Sequence, residues 1–356
     1  MMVIAAVAAF GASCERKGAG GGATTTGRGE VVLYSSADSD VLAEVVAAYE
    51  RSGTSRVLVV TDTEATKTTG LAQRLLIERD APKADVWWSS EALGTQTLAG
   101  RGVFREMDST GLRAAIGERA GTLVSAERLW VGFAARARVI AFNTKAMTAE
   151  ETPREISDLA LPRFKNRIGM ARPQFGTTRT HIAALVAAVG ERGASELLES
   201  LKANGLRLYD GNSSVVRAIA EGEIDAGLTD SDDVWAAKEN GWPVEMNFER
   251  DSAAKEGETA APWRSRGTLV IPNTVALVKG GPNPEEAGRL AAFLLSPDVE
   301  RILAASRSRN TPTLPAVLAE YPDLAFPEVW AIRPSEILEA SDSAGALAER
   351  LFPIGQ

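Results

Sequence analysis

Three aspartates crowd into four positions: Asp230, Asp232 and Asp233 directly follow the apolar run AGLT at 226–229. Carboxylates at this spacing repel one another unless a cation lies among them, and their hard oxygen donors suit Fe3+, Mn2+, Ca2+ or Mg2+. A local reading competes. Aspartate at the start of the helix predicted over 234–240 complements that helix's dipole. Asp38, Glu64 and Glu91 follow other strand-like runs and are expected to face the same set. A second group is suited to anions. Gly176-Thr177-Thr178 opens a predicted helix, where unpaired N–H groups make an anion site. Lys67-Thr68-Thr69-Gly70 repeats the pattern elsewhere, and both tracts also read as plain threonine capping. Trp87, Trp88 and Trp235 offer either an aromatic wall for an organic ammonium or ordinary core. His181, in the first turn of a helix, reads as a surface or packing residue rather than a metal ligand.

The elements that must position these residues follow from hydrophobic period. Residues 30–35, 56–60 and 84–88 read as strands, with helices at 38–52 and 70–79 between them. That is the β-α-β-α-β start of an open parallel sheet. A long extended stretch follows at 131–143, then strands at 168–171, 207–209 and 226–229. Helices at 177–189, 194–204, 214–221 and 234–240 alternate with them. Residues 268–278 are extended again, interrupted by Pro272, before amphipathic helices at 285–295 and 298–305. The C-terminal stretch from Pro312 is expected to pack back on the first block. Ligands of open α/β sheets bind beyond the carboxyl ends of strands. Those ends supply Ser36 and Asp38, Glu64 and Lys67, Ser90 and Glu91, Arg172, Thr177 and Thr178, Asn212, and Asp230 with its neighbours. The predicted fold is α/β with two lobes, each a mostly parallel sheet flanked by helices. Lobe 1 takes 30–140 plus 275–356, lobe 2 takes 141–274, and two crossing strands form a hinge that closes around a ligand.

Composition removes other classes. The 356 residues are 45% apolar and 24% charged, with a net charge of −8, which disfavours nucleic acid or an anionic membrane as partner. One Cys and one His exclude an intrachain disulfide, a cysteine zinc site and a histidine-rich metal site. A Ser-His-Asp triad would have to use His181. No GxxxxGK[ST] phosphate loop is present. Residues 1–13 form an apolar leader too short to span a bilayer, which fits the core of a secretory signal. Gly11-Ala12-Ser13 before the single Cys14 resembles a lipobox. Cleavage there would leave Cys14 to take a diacylglycerol, with residues 14–29 as a flexible tether. The alternative is a buried free cysteine in an ordinary helix. Membrane contact is expected only through that lipid.

Four stretches carry a family resemblance: VVLYSSADSD, ADVWWSSE, GEIDAGLTDSDD and GTLVIPNTVALVKGGPNPEEAGRLAAFLLSP. Over residues 30–310 the chain resembles the extracellular solute-binding proteins of ABC importers, in the ferric-iron-binding group of the type II periplasmic-binding fold. The resemblance implies a monomeric receptor, periplasmic or at the cell surface, that hands a small ligand to a permease and its ATPase without catalysis. The iron-binding members carry a tandem tyrosine pair where this chain has Asp232-Asp233. Their histidine falls on Asp38, and their acidic ligand on Ser90 or Glu91. A metal ion, Fe3+ among the choices, is expected on Asp232 and Asp233 with an anion co-ligand. Ser36, Asp38, Glu64, Lys67, Trp88, Glu91, Thr177, Thr178, Asn212 and Asp230 are the expected ligand contacts. An organic cation or zwitterion, such as 2-aminoethylphosphonate, thiamine or a polyamine, suits the same carboxylates and helix ends. Porphobilinogen deaminase shares the architecture but needs a cofactor-bearing cysteine in its body, and Cys14 lies in the leader. A transcription-factor sensor domain would need a helix-turn-helix where the leader stands.

Overall fold

The computed structural model describes residues 29–53, 55–61, 69–117, 119, 121–252 and 264–354. Among them, the strands are β1 (Gly29–Ser35), β2 (Ser55–Thr61), β3 (Val86–Ser89), β4 (Phe104–Arg105), β5 (Trp130–Asn143), β6 (Ile168–Ala171), β7 (Arg207–Tyr209), β8 (Ala226–Asp230), β9 (Val244–Asn247) and β10 (Val270–Val278). The helices are α1 (Ser39–Arg51), α2 (Thr69–Ile77), α3 (Ala92–Gly100), α4 (Thr110–Ile116), α5 (Gly176–Ala203), α6 (Asn212–Ala220), α7 (Ser231–Glu239), α8 (Pro284–Leu294), α9 (Pro297–Ala305), α10 (Pro315–Leu318), α11 (Pro334–Glu339) and α12 (Ser341–Leu351). The strands follow the order β2-β1-β3-β10-β5-β8-β6-β7, with β4 on β10 and β9 on β5. β1, β2 and β3 are mutually parallel, as are β6, β7 and β8, while β5 and β10 run against their neighbours. Two parallel sets are thus joined through antiparallel strands.

β5 is the seam. Its residues Trp130 to Ala137 pair with β10, and Arg138 to Phe142 pair with β8. All fourteen positions are buried. The register slips at Ala134, which bulges with φ 37° between Phe133 (opposite Asn273) and Ala135 (opposite Pro272). Pro272 has no N–H to give. Ala135 instead exchanges both backbone bonds with Thr311, at 2.7 and 2.6 Å.

The expected helices over 177–189 and 194–204 form one run, broken at Gly190, whose φ of 73° and ψ of 167° leave helical geometry. The C-terminal segment departs from expectation. Rather than completing the first lobe, Ile337, Leu347, Leu351 and Phe352 join the apolar cluster of Ile182, Leu185, Leu198 and Leu201 on α5. Arg350 pairs with Glu191 at 3.0 Å and Lys202 donates to the Leu351 carbonyl at 2.7 Å. The outer face of α5 is strongly apolar, and α11 and α12 supply its cover.

α5 also buries the single histidine. His181 Nδ1 faces the Arg138 guanidinium at 3.4 Å, and burial followed by that positive charge pushes its pKa from 6.5 to about 3. The packing reading of His181 therefore holds. An unfolded chain takes up this proton near pH 6.5 and the folded chain only near pH 3, so stability is lost as pH falls between the two. One proton is worth about 1.4 kcal/mol per pH unit. Urea unfolding at several pH values should show a decline below pH 6.5 that His181→Gln flattens by roughly that slope. An unchanged slope in the variant would contradict the assignment.

Candidate ligand-binding cleft

Four strand-to-helix junctions and the start of α1 meet where β5 crosses the sheet. They line a cavity of about 140 Å³. Asp38 comes from the start of α1, Ser90 and Glu91 from the β3–α3 junction, and Arg136 from β5. Arg172, Phe175, Thr177 and Thr178 come from the β6–α5 junction, Asn212 from β7–α6, and Asp230, Asp232 and Asp233 from β8–α7. The N-cap residues of α5, α6 and α7 (Phe175, Gly211 and Asp230) form no side-chain cap bond. Their first-turn N–H groups therefore have no side-chain partner from those N-caps, and the helix dipoles bring partial positive charge to this region.

Asp230 is the buried anchor. Its carboxylate accepts from Arg138 Nη1 at 2.7 Å, Arg136 Nε at 3.2 Å, Thr177 Oγ1 at 2.6 Å and Asn212 Nδ2 at 2.9 Å. Burial works against its charge, but Arg138, Arg136 and Thr177 outweigh it and hold the carboxyl below its ordinary value. Asp230 thus ties β5 and β8 to the first residues of α5 and α6. It lines the cleft, where it was expected as a ligand contact, with its oxygens accepting from these four protein donors.

Asp232 and Asp233 lie in the first turn of α7. Asp232 faces Arg136 Nε at 3.5 Å and accepts the N–H of Asp233 at 3.1 Å. Burial, then the charges of Asp232, Asp230 and Asp38, raise the Asp233 carboxyl well above its ordinary value. One carboxylate oxygen from each of Asp230, Asp232 and Asp233 lies within 4.8 Å of the others. That spacing fits a hard cation, which would replace the proton favoured on Asp233.

Glu91 caps α3, accepting from Leu93 N at 2.6 Å and Gly94 N at 2.9 Å. Its burial raises the carboxyl pKa against those two bonds. Thr180 Oγ1 of α5 donates to it at 3.4 Å. Thr178 is 2% exposed, and its Oγ1 has no hydrogen-bond partner. Thr177, by contrast, spends its hydroxyl on Asp230.

Two expected contacts fall elsewhere. Ser36 is buried under the cleft, with its Oγ accepting the Ser90 N–H at 3.1 Å and bonding Ser89 Oγ at 3.3 Å, so it braces the β3–α3 turn. Trp88 is fully buried, with its ring 5.6 Å from Phe133 and Nε1 donating to Asn273 at 3.1 Å, so it is core. Trp87 is likewise core, bonded to Thr95 at 2.8 Å. Glu64, Lys67 and Cys14 lie outside the described residues. Arg136 and Arg138 escaped the sequence reading. Their signal is the ARAR alternation at 135–138, which sets two charges on one face of a buried strand.

The Neisseria meningitidis (serogroup B) major ferric iron-binding protein is 27% identical over 302 residues, covering 84% of this chain and 85% of that protein. The structure of iron-bound HitA from Pseudomonas aeruginosa superposes with a TM-score of 0.76 at 23% identity, covering 91% of this chain and 99% of that one. The Trichodesmium IdiA (FutA) structure, in complex with iron and citrate, gives 0.74 at 22% identity with the same coverage. These structures establish the two-lobed fold. The family model described as bacterial extracellular solute-binding protein matches residues 82–329. With the two parallel sets joined through β5 and a polar cleft at their strand ends, the chain belongs to the bacterial extracellular solute-binding protein family.

Proposed function

We propose that this protein captures ferric iron, together with an anion, in the cleft and delivers it to an ABC permease and its ATPase. The observation that carries this reading is the trio of carboxylate oxygens within 4.8 Å on Asp230, Asp232 and Asp233. Within that trio Asp232 and Asp233 are the metal ligands of this reading, and Asp230, which accepts from Arg138 and Arg136, holds its place beside them. Asp38 approaches from the other side of the cleft, and the α5 N-terminus with Thr178 takes the anion. Relatives named major ferric iron-binding protein and iron uptake protein A1 support the choice of iron. Phenolate ligands are missing at 232 and 233, so the site holds iron through carboxylates and its co-ligand. The protein acts as a monomeric receptor rather than an enzyme.

The lobes divide at β5, and their closure brings Asp38 and Glu91 onto Asp232 and Asp233. Closure of an empty cleft would press like charges together, and a cation removes that cost. An organic cation or zwitterion is the second reading, favoured by Arg136, which already offsets part of the acidic charge. Calorimetry with ferric citrate, run beside small-angle scattering, tests the iron reading. The wild type should bind and shrink in radius of gyration. Asp232→Asn/Asp233→Asn, which removes two charges at constant size, should bind at least about 100-fold more weakly. Equal binding by the double variant would remove the cation site. A ligand that stays bound under strong chelator would favour the organic reading.

Among the described residues no helix is long and apolar enough to cross a membrane. We propose that Cys14 is lipidated and that the tether expected over 14–29, less Gly29, which opens β1, links the receptor to the membrane surface. Metabolic labelling with a fatty acid should mark the wild type and not Cys14→Ser. Label in the variant would end that assignment.

A further inference from the structure

The run Ser306-Arg307-Ser308-Arg309 follows α9 and reaches α7, the helix that carries Asp232 and Asp233. The two helices belong to different halves of the molecule. α9 packs Val299 and Leu303 into the apolar cluster of Val31, Leu33 and Val275, whereas α7 packs Val234 and Ala237 into the cluster of Val139, Val215 and Ile219. Both arginines of the run cross between them. Arg307 donates from Nε to Glu239 at 2.9 Å and from Nη2 to Asn240 at 2.7 Å, at the C-terminal end of α7. A cation there also meets the negative end of the helix dipole. The Arg309 guanidinium carbon lies 4.9 Å from the centroid of the Trp235 ring, which Lys238 Nζ approaches at 4.7 Å. The backbone aims Arg309 at this ring. Its φ of 45° is left-handed, and the residues after it are fixed: Asn310 accepts from Asn273 at 2.9 Å, and Thr311 bonds Ala135 of β5. The guanidinium also pairs with Asp323, and its Nε is buried without a hydrogen-bond partner among the described residues. Trp235 is thus neither a wall of the cleft nor plain core, but a platform for a cation from the other half.

We propose that Arg307 and Arg309 form an interlobe clasp on α7 that favours the approached conformation of the lobes before any ligand arrives. In the described conformation the lobes also meet in the cleft, where Thr180 of α5 donates to Glu91 at the start of α3. Approach carries a cost, because the charge of Asp38 acts on Asp233 from the facing side. The clasp offsets that repulsion from outside the cleft, on the same helix that bears Asp232 and Asp233. Exposed ion pairs and cation–π contacts are individually weak. That weakness suits the task, since a hinge that must reopen is to be biased and not locked. The inference goes beyond the ferric reading and holds whatever the cleft takes.

Double electron-electron resonance on the ligand-free full chain tests this. Nitroxides go on Arg101→Cys and Glu221→Cys, exposed at the ends of α3 and α6, with Cys14→Ser leaving no other thiol. The parent protein should populate a short interlobe distance. Arg307→Gln/Arg309→Met should lower the ratio of short to long distances by about five- to tenfold. Arg307→Glu should shift it the same way, and adding Glu239→Arg, which restores the pair with its signs exchanged, should return most of the loss. A merely local packing role would show no such rescue. An unchanged distribution in Arg307→Gln/Arg309→Met, a parent that populates only the long distance, or a sign-exchanged pair as displaced as Arg307→Glu alone overturns the inference. Should the Arg307→Gln/Arg309→Met variant not fold, the sign-exchanged pair decides, since Arg307 and Glu239 are 52% and 57% exposed. No iron enters this experiment, so its failure leaves the ferric reading standing, and failure of the ferric reading leaves the clasp standing.

Discussion

Asp230 with its four donors is the interaction on which the site depends. A buried carboxylate survives only when its charge is met, and two guanidinium groups, a hydroxyl and an amide meet this one. The donors come from β5, α5 and α6, while the acceptor comes from β8. The register of β5 on β8 places Arg138 directly opposite Asp230, so the sheet delivers one of these pairs by itself. Loss of one partner from such a buried set costs about 3–5 kcal/mol, because the remaining charges are left unmet. The network therefore does more than hold two strands together. It sets the position of the first turns of α5 and α6, and with them the donors that face the cleft.

The cleft inherits two poles from this arrangement. At one, among the described residues, the starts of α5 and α6, whose N-cap residues form no side-chain cap bond, meet the unpartnered Thr178 hydroxyl. At the other, Asp232 and Asp233 extend from α7, with Asp38 and Glu91 lining the same cavity. Asp233 shows the tension at this acidic pole, since its neighbours' charges and its burial favour the protonated form. A metal ion that arrives with an anion satisfies both poles at once. His181 lies behind the donor pole as a neutral packing group, adding shape without a competing ligand atom.

Much of this was legible in the sequence because strand ends of an open α/β sheet converge by geometry. Once the apolar runs are recognised as strands, Asp38, Glu91, Thr177, Thr178, Asn212 and the three aspartates must meet. What escaped depends on contacts distant in sequence. Ser36 resembles a cleft residue until the pairing of β1 with β3 sets it against Ser89. Trp88 resembles an aromatic wall until β10 and Phe133 of β5 cover it. The ARAR alternation looks like a solvent-facing strand edge, and only the seam role of β5 makes those arginines buried. The cover of α5 by α11 and α12 is equally non-local, since apolar period identifies an amphipathic helix but not its partner.

In the proposed receptor the cargo sits on Asp232 and Asp233, with its anion at the start of α5. Anomalous diffraction at the iron absorption edge, from crystals grown with ferric citrate, addresses this placement most directly. One strong peak bridged by the Asp232 and Asp233 carboxylates is expected, with citrate density against the start of α5. A peak elsewhere, or a cleft that holds no iron under these conditions, would contradict it.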